Sequence, residues 1–113
     1  HANSVKDMLS RLETMVLQGA DGLPLDAIRQ QIASAVDIII HLSRLRDHSR
    51  KTMEICEVLD YDSITKQINL NPLFVFEEDE NSTLEKVSGS LNRTKNPMVN
   101  DYKLRLMGFK DVI

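Results

Sequence analysis

Tryptophan is absent, and aromatic residues make up only 4% of the 113 residues. The large planar side chains that dominate many small cores are therefore scarce. Burial must rest on Leu, Ile, Val and the five Met. Cys56 stands alone, which excludes an internal disulfide. With no His-Asn or His-Asp set around it, Cys56 reads as a buried small apolar side chain rather than a nucleophile. A reducing, cytoplasmic compartment fits that usage. No apolar run approaches the roughly 20 residues that a spanning helix needs, so no direct membrane insertion is expected. Neither sign of charge prevails: 14 Lys and Arg stand against 17 Asp and Glu. No basic face is evident, which argues against a nucleic-acid partner. The one clear charge run, Glu77 to Glu80, reads as a solvated loop.

Chemical motifs are equally sparse. There is no G-x-x-x-x-G-K-[ST] loop, no G-x-G-x-x-G and no Cys/His cluster. His1, His41 and His48 have no spacing that suggests a metal site. No nucleotide-binding set is present within the chain.

What is present is a clear order of elements. Ser4 is a good N-cap, with Asp7 three residues later in a near capping box. Met8, Leu9, Leu12, Met15 and Val16 then predict an amphipathic helix from Val5 to Gln18, ended by Gly19 and Gly22. Pro24 suits the first turn of a second helix, whose stripe is Leu25, Ile28, Ile32, Ala35 and Val36. The continuous β-branched run Ile38-Ile39-Ile40 favours a buried strand from Asp37 to Leu45. A turn at residues 46–49 leads to a second strand, Arg50 to Leu59, with Met53 and Ile55 expected on its core side. A turn at 60–63 leads to a third strand, Ile64 to Leu70, and Leu73 to Phe76 continues as extended chain. Pro72 cannot donate to a ladder and marks a bulge or an edge. Residues 77–82 read as a polar loop, residues 83–94 are ambiguous, and Pro97 opens a short final helix through Met107, closed by Gly108. The expected class is α+β: two amphipathic helices, an antiparallel strand meander and a short C-terminal helix.

Several residues are candidates for function. Arg44, Arg46 and Arg50 cluster around one strand and turn. They form either a phosphate-binding or intersubunit set, since guanidinium forks suit phosphate, or a solvated strand face with Asp47 as partner. Arg11 flanks the apolar stripe of the first helix. It either pairs with Asp7 or Glu13 or contacts a neighbouring subunit. His41, inside an apolar strand, reads as a satisfied core or edge histidine.

Three stretches resemble one family. They are His1-Ala2-Asn3-Ser4 leading to Leu9-Ser10-Arg11-Leu12-Glu13-Thr14-Met15-Val16; Leu23-Pro24-Leu25 through Ile28-Arg29 and Gln31-Ile32-Ala33 to Ala35-Val36-Asp37; and His41-Leu42-Ser43-Arg44-Leu45-Arg46-Asp47 with Ser49-Arg50 and later Leu73-Phe74-Val75-Phe76. Together they resemble the C-terminal part of the motor domain in CpaF-like ATPases of tight-adherence pilus systems, within the type II/type IV secretion ATPase superfamily. The resemblance implies that residues 1–76 are a subregion of a RecA-like α/β motor domain and that 77–113 are an acidic loop and tail with a short helix. It implies a homo-hexameric parent, cytoplasmic and peripheral to the inner membrane through pilus or secretion partners, which uses ATP and Mg²⁺. It places His1 in the family's histidine box, near the terminal phosphate of the nucleotide. The phosphate-cradling groups of the family have no counterpart here, so the chain by itself is expected to be inactive and to self-associate. Arg11, Arg44, Arg46 and Arg50 become candidates for subunit contacts. The family usually has Gly where this chain has His48, a position that needs a left-handed backbone. A protein-interaction module that docks on a secretion or pilus component is the alternative.

Overall fold

The computed structural model describes residues 2–19 and 22–110. Two helices, α1 (Val5–Gly19) and α2 (Leu25–Ala35), are followed by four strands and a short helix. The strands are β1 (Ile38–Arg44), β2 (Arg50–Asp62), β3 (Gln67–Glu78) and β4 (Gly89–Arg93), and the last helix is α3 (Tyr102–Leu106). The sheet is an antiparallel meander in the order β1-β2-β3-β4. The protein is therefore α+β, as the patterning implies.

Helix α1 starts where its cap dictates. The Ser4 hydroxyl accepts from the Asp7 amide at 3.1 Å, and the Asp7 carboxylate accepts from the Asn3 amide at 3.0 Å. The Asp7 amide, which an uncapped helix would leave orphaned, is thus satisfied, and the Asn3 amide just ahead of the cap is tied back to the first turn. Pro24 is the N-cap of α2 rather than its first helical residue. The two helices pack on one face of the sheet. Their Val5, Leu9, Ile28 and Ile32 meet Ile39, Cys56 and Val58 in a buried cluster, with Met8, Leu12, Val16, Ile68 and Leu70 at its margin. No methionine is fully buried among the described residues, and Met15 lies open. The core rests on branched aliphatics, whose fixed shapes fill it without the flexible thioethers.

The strands depart from expectation in three places. Directly paired residues share a face, so Ile39 with Cys56 lies toward the helices, and Ile40 with Ile55 lies on the opposite, outer face. Ile55 is therefore not on the core side. Met53 is the extra residue of a bulge between the pairs His41–Glu54 and Leu42–Thr52. The β2–β3 turn also sits later than expected, at residues 63–66, with Ile64 at its tip and 91% exposed. The Asp62 carboxylate accepts from the Ile64 and Thr65 amides there, and Lys66 takes a left-handed φ of 62°. Finally, β3 runs through Glu78 and acquires β4 as a partner from the ambiguous stretch.

The register also shifts beside Pro72, with Leu73 as the extra residue between the pairs Phe74–Ile55 and Pro72–Cys56. In the β1–β2 turn, His48 takes a φ of 67°, the left-handed conformation that a Gly would supply. The final helix begins at Tyr102 rather than at Pro97. It ends on Gly108 at φ 86°, with the Phe109 amide bonding the Leu104 carbonyl and the Gly108 amide bonding that of Arg105. That is a Schellman closure.

Candidate functional site

His1, the residue carried over for the terminal phosphate, lies outside the described residues. Its neighbours are held closely. The Ala2 carbonyl accepts a 3.0 Å hydrogen bond from His41 Nε2 on β1, while Asn3 and Ser4 are engaged with Asp7. His41 is only 6% exposed, and this bond satisfies it.

The arginine cluster separates into two roles. Arg46 turns away from Asp47 and spans to the β3–β4 connection. Its guanidinium meets Glu78 at 2.6 and 3.1 Å, the Thr83 carbonyl at 2.6 Å and the Ser82 hydroxyl at 3.2 Å. Its hydrogen-bonding capacity is engaged within the chain. Asp47 accepts instead from the Ser49 hydroxyl, the Val87 amide and the Ser49 amide, which hold its carboxyl well below the usual range. Together Arg46 and Asp47 clasp the β1–β2 turn to residues 78–88. The solvated-face reading, which gave the arginine cluster Asp47 as its partner, is replaced for Arg46 by this clasp.

Arg44 and Arg50 stand directly opposite each other on β1 and β2. Arg44 donates to His48 Nδ1 at 2.8 Å, and both arginines are exposed. Like charges directly opposite each other disfavour the pair, and among the described residues no carboxylate forms an ion pair with either. Arg11 is exposed on α1. Its expected partners are engaged elsewhere, Asp7 with Asn3 and Glu13 with Arg29 at 2.9 Å. The structure thus brings Arg44 and Arg50 together, occupies Arg46 and leaves Arg11 apart from them.

The outer face of the sheet carries two features that the sequence reading missed. One is Glu57, buried to 1% exposure in the middle of β2. Its carboxylate accepts from the Val99 and Asn100 amides, each at 2.8 Å, and from the Asn71 amide nitrogen at 3.0 Å. Burial pushes its pKa up, but these donors outweigh it and the net shift is downward. Glu57 thereby latches the segment before α3 across the outer face. A single carboxylate inside Ile55-Cys56-Glu57-Val58-Leu59 is the signal that could have revealed it, since a buried charge demands partners.

The second feature is what remains uncovered. Arg93 lies 5.5 Å over the Phe74 ring, and the Glu57 latch covers the centre. Ile40 and Leu42 on β1 have no such cover and are 50% and 64% exposed. β1 is also an edge strand, paired only with β2.

At the start of α1 the Asp7 amide is bonded to the Ser4 hydroxyl, and the Asp7 carboxylate, which accepts from the Asn3 amide ahead of the helix, repels an anion. No group of three or more His, Cys, Asp or Glu that could hold a metal is found among the described residues. An open groove of about 410 Å³ between the start of α1 and β3 is lined by Ser4, Lys6, Glu54, Gln67, Asn69 and Pro72 among others, with no convergent set of cations. Among the described residues no helix is long and apolar enough to cross a membrane. No family model matches the chain, and no curated protein matches it.

Proposed function

We propose that this chain is the C-terminal part of the RecA-like motor domain of a secretion or pilus-assembly ATPase of the CpaF-like kind, and that it is catalytically incomplete without the rest of that domain. The observation that carries the reading is β1. An edge strand with Ile40 and Leu42 bare on its outer face belongs to a larger core, because a self-sufficient domain covers or charges such an edge. The shape supports it. The radius of gyration is 16.7 Å, against about 13 Å for a compact domain of about 100 residues. The described residues of the stretches that carry the family resemblance also fall on the elements of one unit: the start of α1, α2 with its exit, β1 with its turn, and β3. His48, at the family's Gly position, holds the left-handed backbone that the Gly would provide.

In this reading the parent is a cytoplasmic homo-hexamer at the inner membrane that couples ATP hydrolysis to pilus assembly or protein secretion. His1 stands near the terminal phosphate, and Arg44, Arg50 and Arg11 are offered to a neighbouring subunit. The test is a longer protein that restores a phosphate-binding loop ahead of His1. It should hydrolyse ATP with Mg²⁺, and His1→Ala should lower kcat. Absence of ATPase activity with and without pilus components sinks the reading.

A second reading, an interaction module that docks on a secretion or pilus component, is favoured by one observation. The Arg46–Asp47 clasp and the Glu57 latch tie the tail to the sheet, as in a unit that holds itself together. A chain that stays monomeric at high concentration and unfolds in one cooperative transition would favour it.

A further inference from the structure

His41 is more than a core histidine. The Ser4–Asp7 pairing already caps α1, and the groups that a helix leaves orphaned at its start are amides, not carbonyls. The Ala2 carbonyl lies ahead of the cap, so the His41 bond to it does nothing for the helix. It fixes instead the course of the chain before the helix. The neighbours of His41 on β1 are Ile39, Ile40 and Leu42, and an aliphatic residue would suit its buried position better unless a donor were required there. The bulge that follows the His41–Glu54 pair falls where such features re-aim a side chain. Three successive residues, Ala2, Asn3 and Ser4, are then each held by a separate hydrogen bond to a side chain or through their own, one of them reaching across 39 positions.

We propose that His41 is a positioning residue. Its Nε2–H holds the Ala2 carbonyl and so sets the path of the backbone next to His1, linking strand β1 to the phosphate-sensing segment. The catalytic part of this role rests on the motor reading above. The anchoring part does not.

Two variants test it. His41→Phe keeps the ring and removes the donor. His41→Gln keeps an amide donor near the place of Nε2. In the 113-residue chain, NMR amide exchange at Asn3 should quicken on the order of tenfold in His41→Phe, with Ile28 and Ile39 unchanged, and should stay near wild type in His41→Gln. In the longer protein with its phosphate-binding loop, His41→Phe should lower kcat with KM for ATP unchanged, and His41→Gln should restore kcat. Unchanged Asn3 exchange in His41→Phe overturns the anchor. Altered exchange with unchanged kcat overturns the positioning role. If His41→Phe does not fold, a His41→Gln protein with freed Asn3 overturns the proposal, and one with protected Asn3 supports it. A longer protein without ATPase activity ends the motor reading and the catalytic part with it, while the exchange data still decide the anchor.

Discussion

Glu57 shows how one side chain can hold a segment. Two backbone amides and the Asn71 amide nitrogen converge on its carboxylate, and nothing else satisfies it. Replacing it with Gln leaves a buried donor facing buried donors. Glu57→Gln should lower stability at pH 7 by about 1–3 kcal/mol, the cost of an unsatisfied buried polar group. The sign of the pH dependence follows from the direction of its shift. A carboxyl held below its ordinary 4.5 contributes stability that is fully present above that value and is lost as pH falls through the folded-state value. The gap in unfolding free energy between wild type and Glu57→Gln should therefore narrow as pH falls below 4.5, with Asp26, Asp47, Asp62 and Glu78 giving both proteins a shared acid slope. Urea unfolding at pH 7 and pH 3 measures it, and a gap that stays constant overturns the assignment. Gly89 is a second single-residue constraint, steric in origin. A Cβ there would lie 2.3 Å from the Glu77 carbonyl oxygen and 2.9 Å from the Phe76 ring. Because the closer obstacle is backbone of the paired strand, Gly89→Ala should cost about 1–3 kcal/mol. Thermal unfolding would show it, and an unchanged Tm would mean that β3 and β4 are not paired in this register.

At the scale of elements, the clasp of Arg46 and Asp47 accounts for the order of residues 79–88, which contribute only one buried apolar side chain, Val87. Asp47→Asn removes the charge that accepts the Val87 amide. Arg46→Ala removes the bridge to Glu78 and Thr83. Each should raise amide exchange at Val87 and Ser88 on the order of tenfold while the amides of α2 stay protected, a local rather than global opening. Equal protection in both variants would mean that Val87 and the loop's own hydrogen bonds, such as those between Asp79 and Ser88, hold it without the clasp. The elements themselves were unequally legible. Leu9, Leu12 and Val16, then Ile28 and Ile32, recur at helical spacing on one face, so α1 and α2 could be read directly. Residues 55–59 are apolar on both faces except for Glu57, so alternation could not fix the phase of β2, and the bulge at Met53 shifted it further. Ile64 imitated the start of a strand, although the carboxylate of Asp62 had already committed the chain to a turn. Gly89-Ser90-Leu91-Asn92-Arg93 has one large apolar residue and became a strand through pairing with β3. Of the candidate site, the Arg44–Arg50 pairing followed from the strand and turn. The redirection of Arg46 to Glu78 depends on a contact 32 residues away, which spacing does not encode.

At the scale of the molecule, the two faces of the sheet differ. The inner face is closed by α1 and α2 over Ile39, Cys56 and Val58, a burial deep enough to push the Cys56 thiol up to about 12, through desolvation first and the neighbouring Glu54 carboxylate second. The outer face is latched at Glu57 and bare along β1. Bare aliphatic surface on an edge strand seeks either another sheet or another copy. If β1 belongs to a larger motor core, the isolated chain should associate as its concentration rises, and the weight-average mass from light scattering should climb above that of the 12.9 kDa monomer. Ile40→Asp with Leu42→Asp should return it to a monomer without unfolding it, because both side chains are half exposed or more in the folded chain. The same pair of substitutions in the longer protein should do the opposite and destabilise it, since there the face is expected to be covered and a carboxylate would be buried without a partner. A monomer that ignores both substitutions, in the short chain and the long one alike, would mean that the outer face of β1 is true surface, and the interaction module would then be the better description of the fold.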